Sequence, residues 1–266
     1  MNILDTIIGH KRTEVATQKA AVASATLEKS AFFWRAPLSL KAALTDPAST
    51  GIIAEFKRRS PSKGVINDRV SVEDVTRGYT EGGAACLSVL TDHQFFGGSY
   101  ADLVAARFNA IPILRKEFII DEYQILEARA IGADVILLIA ACLTPAEVRR
   151  LAMFARGLGL EVLLEIHNED ELGHICVETE LVGVNNRDLK TFTVDIERSI
   201  RLSRRIPAGK ILIAESGISQ VQTILQMKDA GFSGFLIGEN FMKAKDPAAA
   251  FLRFVGELQG NHSMEK

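Results

Sequence analysis

The sequence predicts a (β/α)8 barrel, a TIM barrel, with an N-terminal helical extension. Three observations carry that expectation. Eight apolar runs of strand length recur at intervals of roughly 20 to 35 residues. Helical apolar spacing fills the gaps, as in residues 124–131 and 221–228. Polar and charged residues gather where the runs end. Near-continuous apolar strands alternating with helices indicate a parallel sheet covered on its outer face. Eight such units in about 220 residues match a barrel whose active site lies at the C-terminal ends of its strands.

The extension comes first, over residues 1–48. Ile3, Leu4, Ile7 and Ile8, followed by Lys11, Arg12 and Glu14, read as an amphipathic helix. Residues 39–44 suggest a second short helix. Such helices can plug one end of a barrel or cover its active-site mouth, and composition does not choose between these. The barrel is expected over 49–258, in one domain, with no linker or low-complexity tract dividing the chain. Its first strand opens with Ile52, Ile53 and Ala54 and then places Glu55 and Lys57 two residues apart. Residues i and i+2 of a strand share a face, so an acid and a base emerge together. A loop rich in Gly, Pro and Ser follows. The later runs are 86–92, 111–118, 135–140, 162–167, 181–188, 211–217 and 234–239. Most of them end in charge, as at Lys116, Glu165, Asn185 with Arg187, Glu215 with Ser216, and Glu239.

Composition narrows the classes of function. The 266 residues are 47% hydrophobic and 24% charged, ordinary for a globular protein, and leave no room for a second domain of usual size. A formal net charge of −2 offers no basic field for nucleic acid. The longest apolar run, 135–143, is too short to span a bilayer, so no membrane partner is expected. The N-terminus lacks the pattern of a secretory signal. Three cysteines without paired spacing suit a reducing cytoplasm. A monomer is expected.

Two constellations could carry chemistry. Ser216 with Gly217 follows the seventh strand, and Gly238 with Glu239 follows the eighth. Barrels commonly bind phosphate at those two positions, where glycine lets backbone N–H groups approach the oxygens. Glu55, Lys57, Lys116, Glu165, Asn185 and Ser216 form an acid–base set on one rim. Burial and neighbours tune such groups. Lys57 or Lys116 could alternatively form a Schiff base. A metal is not expected: His93 and His167 lie near strand ends but without ligand spacing. No dinucleotide or P-loop fingerprint is present, so no cofactor is expected. Cys86 lies inside a strand and Cys142 has no base nearby in sequence.

These segments closely resemble the indole-3-glycerol phosphate synthase family over nearly the whole length. The resemblance includes Ile3-Leu-Asp with His10-Lys-Arg, then Glu55-Phe-Lys-Arg-Arg-Ser-Pro-Ser and Leu87-Ser-Val-Leu-Thr-Asp with Phe96-Gly-Gly-Ser. It continues through Pro112-Ile-Leu-Arg-Lys-Glu-Phe, Glu161-Val-Leu-Leu-Glu-Ile-His, Asn185-Asn-Arg-Asp-Leu, Glu215-Ser-Gly-Ile and Leu236-Ile-Gly-Glu. No position that the family uses chemically departs; Glu239 stands where some relatives carry Ser. The resemblance implies a TIM barrel that acts on the small molecule 1-(2-carboxyphenylamino)-1-deoxyribulose 5-phosphate. It implies Lys116 as general acid and Glu165 as base in dehydration. Lys57 would hold the substrate carboxylate and act as a second acid, with Glu55 and Asn185 orienting. Ser216, Gly217, Gly238 and Glu239 would bind phosphate together with Ser60. Phe96, Phe118 and Arg187 would line the anthranilate site. The rivals are a phosphosugar isomerase barrel, which would need a Cys or Asp acid–base pair, and an inactive barrel used for binding, against which the intact charged set argues.

Overall fold

The computed structural model describes residues 3–188 and 193–264. All eight runs form strands: β1 (Ile52–Phe56), β2 (Cys86–Leu90), β3 (Ile113–Lys116), β4 (Val135–Ile139), β5 (Glu161–Ile166), β6 (Leu181–Asn185), β7 (Ile211–Glu215) and β8 (Phe232–Ile237). They are parallel and close into a barrel in sequence order, with β1 beside β8. The seam registers Ile52 on Phe235 and Ala54 on Ile237. The pairing of β8 with β7 shifts register between Phe232 and Gly234.

The strands alternate between two apolar layers. Ile52, Ala54, Phe56, Leu87 and Val89 face outward onto the helices. Ile53, Leu114, Leu137, Leu163, Ile213 and Leu236 fill the interior. Two residues further along several strands the inward positions turn polar: Glu55 after Ile53, Lys116 after Leu114, Glu165 after Leu163 and Glu215 after Ile213. The period of two therefore stacks charge above an apolar floor.

The N-terminal helices divide the two expected roles between them. Helix α1 (Ile3–Ala21) lies over the C-terminal mouth, with Ile3, Leu4 and Ile7 on the cavity wall. A short helix α2 (Ser24–Leu27) leads toward α3 (Leu40–Thr45), which plugs the opposite end. Leu40 and Leu44 of α3 join the interior cluster of the barrel. Ser39 caps α3 by accepting from Ala42 N and donates to Glu161 at the start of β5. Lys11 shares the buried face of α1 with Ile7, Ile8 and Val15 and is 1% exposed, reaching down to carboxylates on the rim. Among the described residues, no helix is long and apolar enough to cross a membrane.

Candidate active site

A cavity of about 430 Å³ opens at the C-terminal ends of the strands under α1. Every residue nominated from the sequence lines it. Glu55, Lys57, Lys116, Glu165 and Asn185 form its base. Ser60, Ser216, Gly217, Gly238 and Glu239 line it as well, together with Phe96, Phe118 and Arg187, the last lying 3.9 Å from Glu239.

The acid–base cluster is built from inward strand positions. Lys57 Nζ lies 2.7 Å from Glu55 Oε1, as their spacing on one face anticipates. Ser88 Oγ of β2 donates to Glu55 Oε2 at 3.4 Å. Lys116 Nζ sits 3.4 Å from Glu165 Oε2 and 3.3 Å from Glu215 Oε2. Burial alone would lower the pKa of Lys116, but Glu215, Glu165 and Glu55 outweigh it and raise the pKa well above the usual lysine range. Lys116 is therefore an ammonium at neutral pH, which opposes the Schiff-base alternative for it, since that chemistry needs a neutral amine. Glu165 accepts from Asn185 Nδ2 at 3.0 Å and lies 3.0 Å from His167 Nε2. Burial would raise Glu165, yet Lys116, His167 and Asn185 pull it well below the usual carboxylate range.

Two members of the cluster were missed in the sequence. Glu215 is 1% exposed, and neither of its oxygens finds a well-aligned hydrogen-bond donor among the described residues. Burial, Glu165 and Glu55 push it up to about 8, against the pull of Lys116. It was absorbed into the phosphate segment that begins with it. The available signal was Gly183, the one glycine inside β6. A Cβ there would come within 2.1 Å of Glu215 Oε1, so the glycine opens the space the carboxylate occupies. The second is His167, expected only as a non-ligand. It is clamped between Glu165 and Glu171, with Nδ1 3.2 Å from Glu171 Oε2. Burial lowers its pKa, but the two carboxylates raise it to about 10.

In the loop after β7, nominated for phosphate, Ser216 has φ +69° and Gly217 φ +72°, two consecutive left-handed residues. Ser216 is the sole non-glycine with positive φ among the described residues. Such a conformation costs of order 1–3 kcal/mol and persists where the surroundings enforce it; here Asn186 Nδ2 donates to Ser216 O at 2.8 Å. The glycines have a reason beyond the expected one. A Cβ on Gly217 would strike Val194 at 2.4 Å, and one on Gly238 would strike Glu55 Oε1 at 2.5 Å. Protein packing already demands both. Glu239 lies 3.7 Å from Lys63 Nζ and 3.9 Å from Arg187. Ser62, Ser219, Asn240 and Lys243 add further polar lining that the sequence reading did not nominate. At the aromatic end, the rings of Phe96 and Phe118 lie 5.9 Å apart at 37°. Among the described residues, no group of three or more His, Cys, Asp and Glu is arranged to hold a metal ion. His93 is exposed.

The fold and this cluster define a (β/α)8-barrel enzyme with its acid–base groups at the strand C-termini. The family model for indole-3-glycerol phosphate synthase matches residues 4–254, and the chain belongs to that family. It is 46% identical over 259 residues to the indole-3-glycerol phosphate synthase of Bacteroides thetaiotaomicron, covering 97% of this chain and 99% of that one. The enzyme of the same name from Dechloromonas aromatica is 44% identical, covering 95% of this chain and 98% of the relative. Among solved structures, a mutant tryptophan synthase alpha-subunit from Pyrococcus furiosus aligns with a TM-score of 0.61. It covers 79% of this chain and 98% of its own at 16% identity, a likeness of fold alone. Membership of the family makes the chain a decarboxylating carbon–carbon lyase of tryptophan biosynthesis.

Proposed function

We propose that this cavity converts 1-(2-carboxyphenylamino)-1-deoxyribulose 5-phosphate to indole-3-glycerol phosphate with the residues named above. The observation that carries the assignment is Lys116, held as an ammonium between Glu165 and Glu215 on the cavity floor. The ring carbon bearing the carboxylate attacks the ketone carbon, and the carbonyl electron pair moves to oxygen. Lys116 donates the proton that oxygen needs. Carbon dioxide leaves, and its bonding pair restores the aromatic ring. Lys57, after holding the carboxylate, protonates the new hydroxyl so that it departs as water. Glu165 takes the proton from the neighbouring CH2 carbon, and the pyrrole double bond forms. Transfer of the Lys116 proton also removes the charge that most opposes Glu165 protonation, so the base strengthens once the acid has acted. Asn185 and Glu55 orient Glu165 and Lys57. Ser60, Ser216, Gly217, Gly238 and the Glu239 backbone take the phosphate, while Phe96, Phe118 and Arg187 take the anthranilate end.

The isomerase alternative is not favoured, because no Asp or Cys lines the cavity among the described residues. The chain is proposed to act as a cytoplasmic monomer, without nucleic acid or cofactor. Extension 1–48 and barrel 49–258 are proposed to act as one domain, supported by α1 walling the cavity and α3 filling the barrel floor. The test is indole fluorescence appearing when purified protein meets the synthetic substrate in excess chelator. Product with wild type and its loss with Lys116→Met are expected. Activity that needs an added divalent metal, or survives in Lys116→Met, would overturn the assignment.

A further inference from the structure

Given the proposed placement of the anthranilate ring, we infer that Lys11 of the N-terminal helix is a positioning residue that sets the two phenylalanines of the aromatic end. Its ammonium lies 3.0 Å from Asp92 Oδ2, 3.0 Å from Glu117 Oε1 and 2.8 Å from Glu14 Oε2. Asp92 and Glu117 stand just beyond β2 and β3, and each accepts from phenylalanine backbone N–H groups. Asp92 Oδ1 accepts the N–H of Phe95 at 2.7 Å and of Phe96 at 3.1 Å. Glu117 Oε1 accepts the N–H of Phe118 at 2.9 Å. One buried cation thus joins the two carboxylates that fix Phe96 and Phe118.

The alternatives for these carboxylates are poor. Asp92 is fully buried, and its Oδ2 has no hydrogen-bond partner among the described residues beside this ammonium. Glu117 keeps Thr91 Oγ1 at 2.7 Å and Arg115 at 3.7 Å on its other oxygen, so Lys11 is what ties its inner oxygen to Asp92. Without Lys11, two buried like charges face each other and must separate or take up protons. Either response moves the N–H groups they hold, and the ring spacing with them. Lys11 touches no position assigned to the phosphate.

The experiment compares two constants on the full-length protein. One is KM for the substrate. The other is the inhibition constant of ribulose 5-phosphate, which shares the sugar phosphate and lacks the ring. Lys11→Met should raise KM about tenfold, equivalent to losing about 1.4 kcal/mol of ring binding. The inhibition constant should stay within about twofold, and kcat should fall less than KM rises. Glu14→Gln, which changes a Lys11 contact on the helix only, should leave both constants near wild type. If Lys11→Met lacks a cooperative thermal transition, Asp92→Asn carries the test with the same expected split. Equal shifts in both constants would make α1 a clamp on the whole mouth and overturn the inference. No shift in either would make Lys11 an anchor only and overturn it equally. Phe118→Leu separates the two layers. If it leaves KM unchanged, the placement of the aromatic ring is wrong whatever Lys11 does. If it raises KM and Lys11→Met does not, the placement stands and the inference falls.

Discussion

The two ends of this barrel handle buried charge in opposite ways. At the N-terminal end, Asp134 is fully buried and both oxygens are filled. Oδ1 takes Arg35 and the N–H of Leu38, and Oδ2 takes Arg107 and the N–H of Ile113. At the C-terminal end, three carboxylates, Glu55, Glu165 and Glu215, share two lysines and His167, and Glu215 has no aligned donor. Saturated charge holds the structure in place. Under-supplied charge keeps lone pairs and protons available for a ligand. A buried polar group without a partner costs free energy; the chain leaves both oxygens of Glu215 in that state at one end and fills both oxygens of Asp134 at the other.

The sharpest way to break this contrast is to delete a charge at each end. Lys116→Met should lower kcat about 10²–10⁴-fold, the usual contribution of a positioned acid, with circular dichroism unchanged. Glu165→Gln should fall in the same range, with substrate affinity by titration changed much less. Near-wild-type turnover in either variant would make that residue structural. Asp134→Ala strands Arg107 and Arg35, and should cost about 3–5 kcal/mol in denaturant unfolding. Its kcat, measured well below the melting temperature, should stay near wild type. Catalytic loss without destabilisation would remove the distinction between the two ends.

A smaller effect sharpens the account of the floor. Gly183→Ala places a methyl against Glu215, and overpacking of this kind costs about 1–3 kcal/mol. The variant should lose kcat as Glu215 is displaced toward Lys116, while a Glu215→Ala, Gly183→Ala double variant should show no further loss over Glu215→Ala alone. Additive losses would place the strain elsewhere.

The smallest effect is on the pH profile of stability. Glu215 is raised from 4.5 to about 8, so its protonated form is favoured on folding and stability is lost as pH rises between those values. His167, raised from 6.5 to about 10, contributes fully below pH 6.5 and loses its contribution as pH climbs toward 10. Glu165 is lowered, so its contribution vanishes only as pH falls below the ordinary carboxylate range. The melting temperature should therefore decline from pH 6.5 to pH 9, where both raised groups titrate. His167→Asn should flatten that decline; an unchanged slope would remove His167 from the cluster's proton balance.

The strands and most of the floor were legible because both follow from local pattern. A buried parallel strand needs an unbroken apolar run, and a period of two places Glu55 with Lys57 and aligns Lys116 with the barrel interior. What escaped depends on contacts that only the folded chain makes. His167 can be recognised as clamped only once the turn after β5 brings Glu171 back to it. Lys11 projects onto the same face of α1 as Leu4, Ile7 and Ile8, but the carboxylates it meets lie beyond β2 and β3, and no local pattern names them. Gly217 and Gly238 were singled out for the approach of a phosphate; what stands where their side chains would be is Val194 and Glu55.

The seam between β1 and β8 has a consequence for biosynthesis of the molecule itself. Glu55 lies against Gly238, and the strands that carry them are the first and last of the ring. During vectorial synthesis, β1 leaves the ribosome early and waits for almost the entire chain. Until β8 arrives, the sheet has two open edges, which are templates for intermolecular pairing. Contacts of such high sequence separation form slowly. The step that delivers Gly238 to Glu55 is thus also the step that retires those adhesive edges: the chain closes its cavity as it ceases to present open strands to its neighbours.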